Sequence, residues 1–156
     1  MSTDLDQGGR IPQTIKTYVG PSIGWKLTDS PVDIEFIIDG GGQTPQPGYK
    51  GHLLIPDWVY INNWILLSEV SGSCVIDVWK IPLSTFLAGT APAVTNSICG
   101  GNLPSLSNQV ARQGTNISGW TTLISQNDIV GFNLNSVSTL LRVTVILQCV
   151  RIIGPS

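Results

Sequence analysis

The chain has 156 residues, one domain's worth, and 42% of them are apolar, enough for a core without metal or disulfide staples. Only 12% are charged, about half the usual share of ~25%, and the formal net charge is −2. That excludes a binder driven by clustered Lys and Arg on nucleic acid, and a mean hydropathy of +0.22 excludes global disorder.

Residues 1–31 carry Gly8, Gly9, Pro12, Gly20, Pro21, Gly24 and Pro31 without sustained periodicity, yet Ile11, Ile15, Tyr18, Val19, Ile23 and Trp25 are apolar. Such a composition predicts an extended arm that orders by lying on a partner surface. It has no apolar core typical of a secretory signal. No run of 18 apolar residues exists either, so no membrane insertion is expected. The expected site of folding is a reducing cytoplasm.

From Val32 onward the pattern is β. Val32–Ile38 is predicted as a strand with Val32, Ile34, Phe36 and Ile38 on one face, followed by a Gly- and Pro-rich loop over 39–48. Tyr49–Ile55 is the next strand. Trp58–Val70 reads as one long strand or two with a kink at Asn62-Asn63. Ser71-Gly72-Ser73 reads as a tight turn into Ser73–Ile81, the two runs forming a hairpin. A helical turn fits 82–88, and Gly89–Gln113 reads as a long loop. Ile117–Ile124 and Ile129–Leu134 are short strands, with a turn at Asn135-Ser136. Ser138–Ile152 closes the series, with Leu141, Val143, Val145, Leu147 and Cys149 on one face and Ile146 on the other. An outward Ile146 or Trp79 would signal a second buried surface between subunits. The prediction is an all-β, antiparallel, two-sheet jelly-roll β-sandwich over 32–156, preceded by the arm.

Candidate chemistry is sparse. Asp39-Gly-Gly-Gly42 has no helix or Lys-Ser/Thr pair behind it, so it reads as a turn needing positive φ rather than a phosphate cradle. Asp33, Glu35, Asp39 and Asp77 read as solvated carboxylates rather than a glycosidase pair. His52 has no nucleophile in a recognisable setting. Cys74, Cys99 and Cys149 form no CxxC; Cys74 and Cys149 read as buried core thiols, and Cys99, in the long loop, as the most reactive of the three. No catalytic residue, metal site or cofactor is expected. Among five Trp, Trp64 and Trp120 read as core, while Trp58 and Tyr60 are the aromatics free to stack on a sugar. Asn102 and Asn108, in the long loop, are further candidates for receptor contact.

Ile34-Glu-Phe-Ile-Ile-Asp-Gly-Gly-Gly42, Lys50-Gly51, Ile55-Pro56, Trp64–Leu67, Ser71–Lys80, Ser118–Thr122 and Asp128–Asn133 form an ordered series. In that series, Val32–Val150 resembles the jelly-roll domain of tailed-bacteriophage structural proteins, of the tail-fibre, receptor-binding and virion-surface type. Tyr18–Trp25 is similar to the N-termini of such proteins. The resemblance implies a non-enzymatic virion protein, assembled in the host cytoplasm. The expected form is a short trimeric tail fibre or appendage, whose arm docks to baseplate, tail or capsid proteins and whose β domain meets a host surface glycan. A capsid decoration protein is the alternative, and a polysaccharide-degrading enzyme a further one.

Overall fold

The computed structural model describes residues 30–153. The expected arm, with Ile11, Ile15, Tyr18, Val19, Ile23 and Trp25, lies outside the described residues except for Ser30 and Pro31, which already belong to the first strand.

Seven strands follow: β1 (Ser30–Asp39), β2 (Gly48–Ile55), β3 (Val59–Pro82), β4 (Ser105–Gly114), β5 (Leu123–Ile124), β6 (Asp128–Ser138) and β7 (Arg142–Arg151). A one-turn helix α1 (Leu83–Leu87) and a 3-10 turn (Val94–Asn96) lie between β3 and β4. β3 is the spine. β6 pairs with its C-terminal half, from Pro82↔Asp128 to Ser73↔Ser138, and β7 with its N-terminal half, from Leu67↔Thr144 to Val59↔Arg151. β4 pairs with both halves, from Val75↔Ser105 to Trp64↔Gly114. Because β4 holds one edge of β3, β6 and β7 must follow each other along the other. β1 flanks β7 and β2 flanks β6, giving the order β1-β7-β3-β6-β2.

The result is one strongly curled antiparallel sheet, a half-barrel, where two separate sheets were expected. The curl comes from the middle of β3. Pairing with β4 lapses between Leu67 and Gly72, and Thr139, at φ 66°, breaks the β6–β7 line while its hydroxyl donates to Ser71 O at 3.0 Å. Two wings therefore fold toward each other. Phe36 of β1 stacks on Phe132 of β6 with centroids 4.6 Å apart. Ile61, Leu66, Ile76, Val78, Val130, Leu134, Val143, Val145 and Leu147 fill the space between, all fully buried. Burying each such side chain is worth about 1.5–3 kcal/mol.

Four local expectations are corrected. Ser71-Gly72-Ser73 is not a turn but the interior of β3, so the expected hairpin is a single strand. Gly72 is there for space: a Cβ on it would lie 2.5 Å from Thr139 Oγ1 and 2.6 Å from both Leu140 Cδ2 and Ser138 O. Ser105–Gly114, inside the expected loop, is β4. Only Leu123–Ile124 of the expected 117–124 strand is extended. Asn135-Ser136 lies within β6, where a register shift opposite Val75 and Ile76 absorbs one residue as a bulge. Asn62-Asn63 is also a bulge within a continuous strand; it keeps Ile61 and Trp64 on the same face. The Gly41 and Gly42 turn has positive φ as expected, 68° and 88°, with Gly41 N–H donating to Asp39 Oδ1 at 2.8 Å.

If Gly72 serves close approach, Gly72→Ala should destabilise the domain by about 1–3 kcal/mol in chemical denaturation, because the crossing chain has nowhere to move. Ser71→Ala, on the exposed neighbour, should change stability by less than about 0.5 kcal/mol. Equal effects would show that Gly72 is only a flexible link.

Candidate functional site

The four residues read as receptor contacts do not converge. Asn102 is spent inside the chain. Its amide donates to Asn116 O at 2.8 Å, and its carbonyl oxygen accepts from Trp120 Nε1 at 2.8 Å. With Thr121 N–H bonded to Ile98 O, these contacts tie 97–104 to 116–122 as a plug over one end of the core. Asn108 is exposed on β4 beside the β3 bend, at φ 52°, with its N–H on Ser73 Oγ at 3.0 Å. Trp58 and Tyr60 stand at the start of β3, far along the strand from Asn108. Trp58 is half-buried and its carbonyl accepts from Ile152 N. Tyr60 is exposed on the outer face, in register with Val150 and Leu123.

The structure assembles a different cluster, on the outer face of the wing built from β2, β6 and the second half of β3. His52, Gly131 and Trp79 form one cross-strand row. A bulge between Tyr49 and Gly51, with Gly51 at φ 136°, turns Tyr49 onto the same face as His52. Gly131 leaves room for it: a Cβ there would meet Tyr49 Cε1 at 2.9 Å. Tyr49 stacks on Trp79, with centroids 5.7 Å apart, and its hydroxyl bonds His52 Nδ1 at 2.7 Å. Phe86 of α1 lies against His52 at 4.6 Å. Beneath them Asp77 is buried and saturated, accepting from Trp79 Nε1 at 2.8 Å and from Ser97 Oγ at 2.6 Å. Trp79 is thus covered by its own chain, not by the subunit contact that its outward position suggested. Burial raises the Tyr49 phenol above the usual tyrosine range. Chemically the cluster offers exposed ring edges and an imidazole–phenol pair. The Gly51 bulge, two residues after Tyr49 in a strand-like run, was the signal that could have linked Tyr49 with His52.

Other candidates resolve as follows. A groove of about 290 Å³ runs between β1 and residues 53–59, with Ile34, Leu53 and Ile55 on its floor and Asp33, Glu35 and Asp57 at its rim. Asp57 pairs with Arg151 at 3.3 Å. Among the described residues no three His, Cys, Asp or Glu side chains group as metal ligands. Cys74, Cys99 and Cys149 are all buried and unpaired with one another. Cys99 is not the reactive loop thiol that its sequence position suggested, because the 97–104 segment carries it into the core. Burial pushes Cys99 up to about 12, with the Asp77 charge adding to the effect, and burial pushes Cys149 up to about 12 as well. At neutral pH both are protonated and unreactive.

No family model matches the chain, and no curated protein matches it. Among solved structures it is weakly similar to a chain in the structure of infectious bursal disease virus Gx strain, at 10% identity and a TM-score of 0.22. That similarity covers 99% of this chain and 47% of the other, so this chain spans about half the length of its match. At that score the likeness carries no argument about fold or function.

The thiols set a pH dependence. In the unfolded chain they ionise near pH 8.5–9, whereas in the folded chain Cys99 and Cys149 hold their protons to about pH 12. The folded state then binds more protons than the unfolded, so stability is full below pH 9 and falls as pH rises toward 12. Each thiol contributes at most about 1.4 kcal/mol per pH unit in that window. Native alkylation at pH 8 should label none of the three thiols, and Cys149→Val should flatten the decline of melting temperature above pH 9. Fast labelling of Cys99 would contradict its burial.

Proposed function

We propose that the chain is a non-enzymatic structural protein of a bacteriophage particle, a short trimeric tail fibre or appendage docked through residues 1–31. One observation carries this reading. The residues that resemble tailed-phage structural proteins are the framework of the half-barrel. Ile34–Gly42 is β1 and its turn, Trp64–Leu67 and Ser71–Lys80 lie on the two halves of β3, and Asp128–Asn133 opens β6. They supply strands of both wings and include the Gly72 bend. The finer expectation, kinship with the jelly roll, is part of the same proposal: two facing wings give the packing of a sandwich while sharing one hydrogen-bonded spine.

Host contact on this reading belongs to the outer face of the β2–β6 wing. The sugar-stacking role expected of Trp58 and Tyr60 passes to Tyr49 and His52, which are exposed and adjacent. Aromatic edges with a phenol and an imidazole can pack against sugar C–H groups and bond sugar hydroxyls without paired charges.

Localisation in intact particles with copy counting tests the role. Density for this chain at the tail in tens of copies or fewer is expected. Hundreds of copies on the head would replace the fibre by a capsid decoration protein, and absence from particles would overturn the virion reading. Tyr49→Ala with His52→Ala should leave incorporation unchanged and lower adsorption to host cells about tenfold or more, given that several weak contacts act together. Unchanged adsorption would remove the glycan role from this face.

A further inference from the structure

The half-barrel leaves a seam. β1 and β2 stand at the two ends of the strand order, so among the described residues each is hydrogen-bonded along one edge only. They converge where Phe36 reaches Gly51, since a Cβ on that glycine would lie 3.0 Å from Phe36 Cζ. Toward the start of β1 and the end of β2 the groove of about 290 Å³ opens between them. Its floor is apolar, with Ile34 and Ile55 buried and Leu53 half-buried. Its rim carries Asp33, Glu35 and Asp57, and Arg151 pairs with Asp57 at 3.3 Å. Three carboxylates against one guanidinium leave the rim two negative charges, on Asp33 and Glu35, neither of which has an ion-pair partner among the described residues. Two unpaired strand edges over an apolar floor suit an added strand. The acidic rim selects a basic one.

We infer that the groove takes residues 10–17 of a second copy of this chain, laid extended between β1 and β2. Those residues lie outside the described ones, and their sequence fits the seat. Arg10-Ile-Pro-Gln-Thr-Ile-Lys-Thr17 holds two cations and no carboxylate, so its charge answers that of the rim. In an extended strand Ile11 and Ile15 fall on one side and Arg10 and Lys16 on the other. The aliphatics then meet the floor and the cations reach Asp33 and Glu35. At ~3.3 Å per residue the two Ile stand about 13 Å apart, the length of the same four steps from Leu53 to Asp57 along the groove wall. The twelve residues 18–29 tether the segment to Ser30 and can bridge up to about 40 Å, enough to reach a neighbour. A tight reversal into the same chain's groove is not provided for. Thr28-Asp29 lacks the Asn-Gly or Asp-Gly that such a turn favours, and Pro31 has no N–H to close one. Residues 18–25 remain for docking to the particle. Exchange of this kind runs head to tail, and on the trimeric reading above it closes as a ring of three. The seat itself needs only two copies.

Native mass spectrometry of the full chain at micromolar concentration tests the exchange. The unaltered protein should report more than one copy. Ile15→Glu spoils the segment and should raise the half-dissociation concentration about a hundredfold or more, because a carboxylate would be pressed onto an apolar floor beside two others. Asp33→Lys with Glu35→Lys spoils the rim and should do the same. Both rim positions are exposed, so the circular dichroism spectrum of that variant should match the unaltered protein's. The two variants are complementary: the first keeps its groove and the second keeps its segment. Each alone should run as a single copy, and their mixture as pairs holding one of each. A single copy for the unaltered protein overturns the inference, and so does a mixture that fails to pair. Copies that stay together in both variants place the contact elsewhere and overturn it too. The virion reading fails separately, by absence from particles, and that outcome leaves pairing of the variants in solution untouched.

Discussion

The architecture depends on one strand that is paired along its whole length by two others in succession. β3 runs 24 residues, and β6 and β7 share one of its edges end to end. A straight ribbon of that length would leave both faces open. Bending it at Gly72 brings the two halves of one strand to opposite sides of the same core. The bend requires close passage of the chain at Ser138–Leu140, which is why a buried glycine stands at that point. β1 and β2 are then carried over the core as the outermost strands of their wings, where Phe36 meets Phe132. Gly51 takes part in the same closure: a Cβ on it would lie 3.0 Å from Phe36 Cζ, so the bulge that aims Tyr49 outward also admits Phe36 inward.

Low charge follows from this design. With both faces of β6 buried along Asp128–Phe132, a carboxylate in the region must be neutralised or saturated. Asp128 accepts from Ser125 N–H at 2.8 Å and lies 3.5 Å from Lys80 Nζ, which in turn donates to Leu123 O. Asp77 takes two neutral donors instead. Each buried carboxylate therefore fixes a connection: Asp128 ties the start of β6 to β5 and β3, and Asp77 ties the 97–99 segment to the spine. Neutral polar side chains handle the remaining junctions, Asn102 above all.

Strand positions were legible wherever alternation was strict. Ile34 and Ile38 on β1, Cys74, Ile76 and Val78 on β3, and Val143 through Cys149 on β7 face the core as their spacing predicted. Connectivity was less legible, because local residue chemistry has two meanings. Ser71-Gly72-Ser73 has turn composition, yet its glycine answers to a chain 67 positions later. Asn135-Ser136 is likewise a bulge and not a turn. β4 was missed because it is an edge strand with one neighbour: Ser107 to Gln113 is almost wholly exposed, so alternation has nothing to report. The Tyr49–His52–Trp79 cluster was invisible for the same reason as the bend. It depends on cross-strand register and on the space above Gly131, neither of which is local.

Alternation also carried a signal that the fold alone does not use. On the second half of β3 the outward residues Asp77 and Trp79 are explained by intrachain cover, and their burial closes that question. On β7 the outward series Thr144, Ile146 and Gln148 is half-buried only by its lateral neighbours, and β3 places Ile65 and Leu67 beside it. A lone outward aliphatic on a strand needs no explanation. Aliphatics aligned in register across adjacent strands do, because each one added enlarges the same contiguous patch and raises the cost of leaving it in water. The asymmetry between the wings is therefore one of cover: the same spine that lets one outer face be finished within the chain leaves Ile37 and Leu67 exposed on the other.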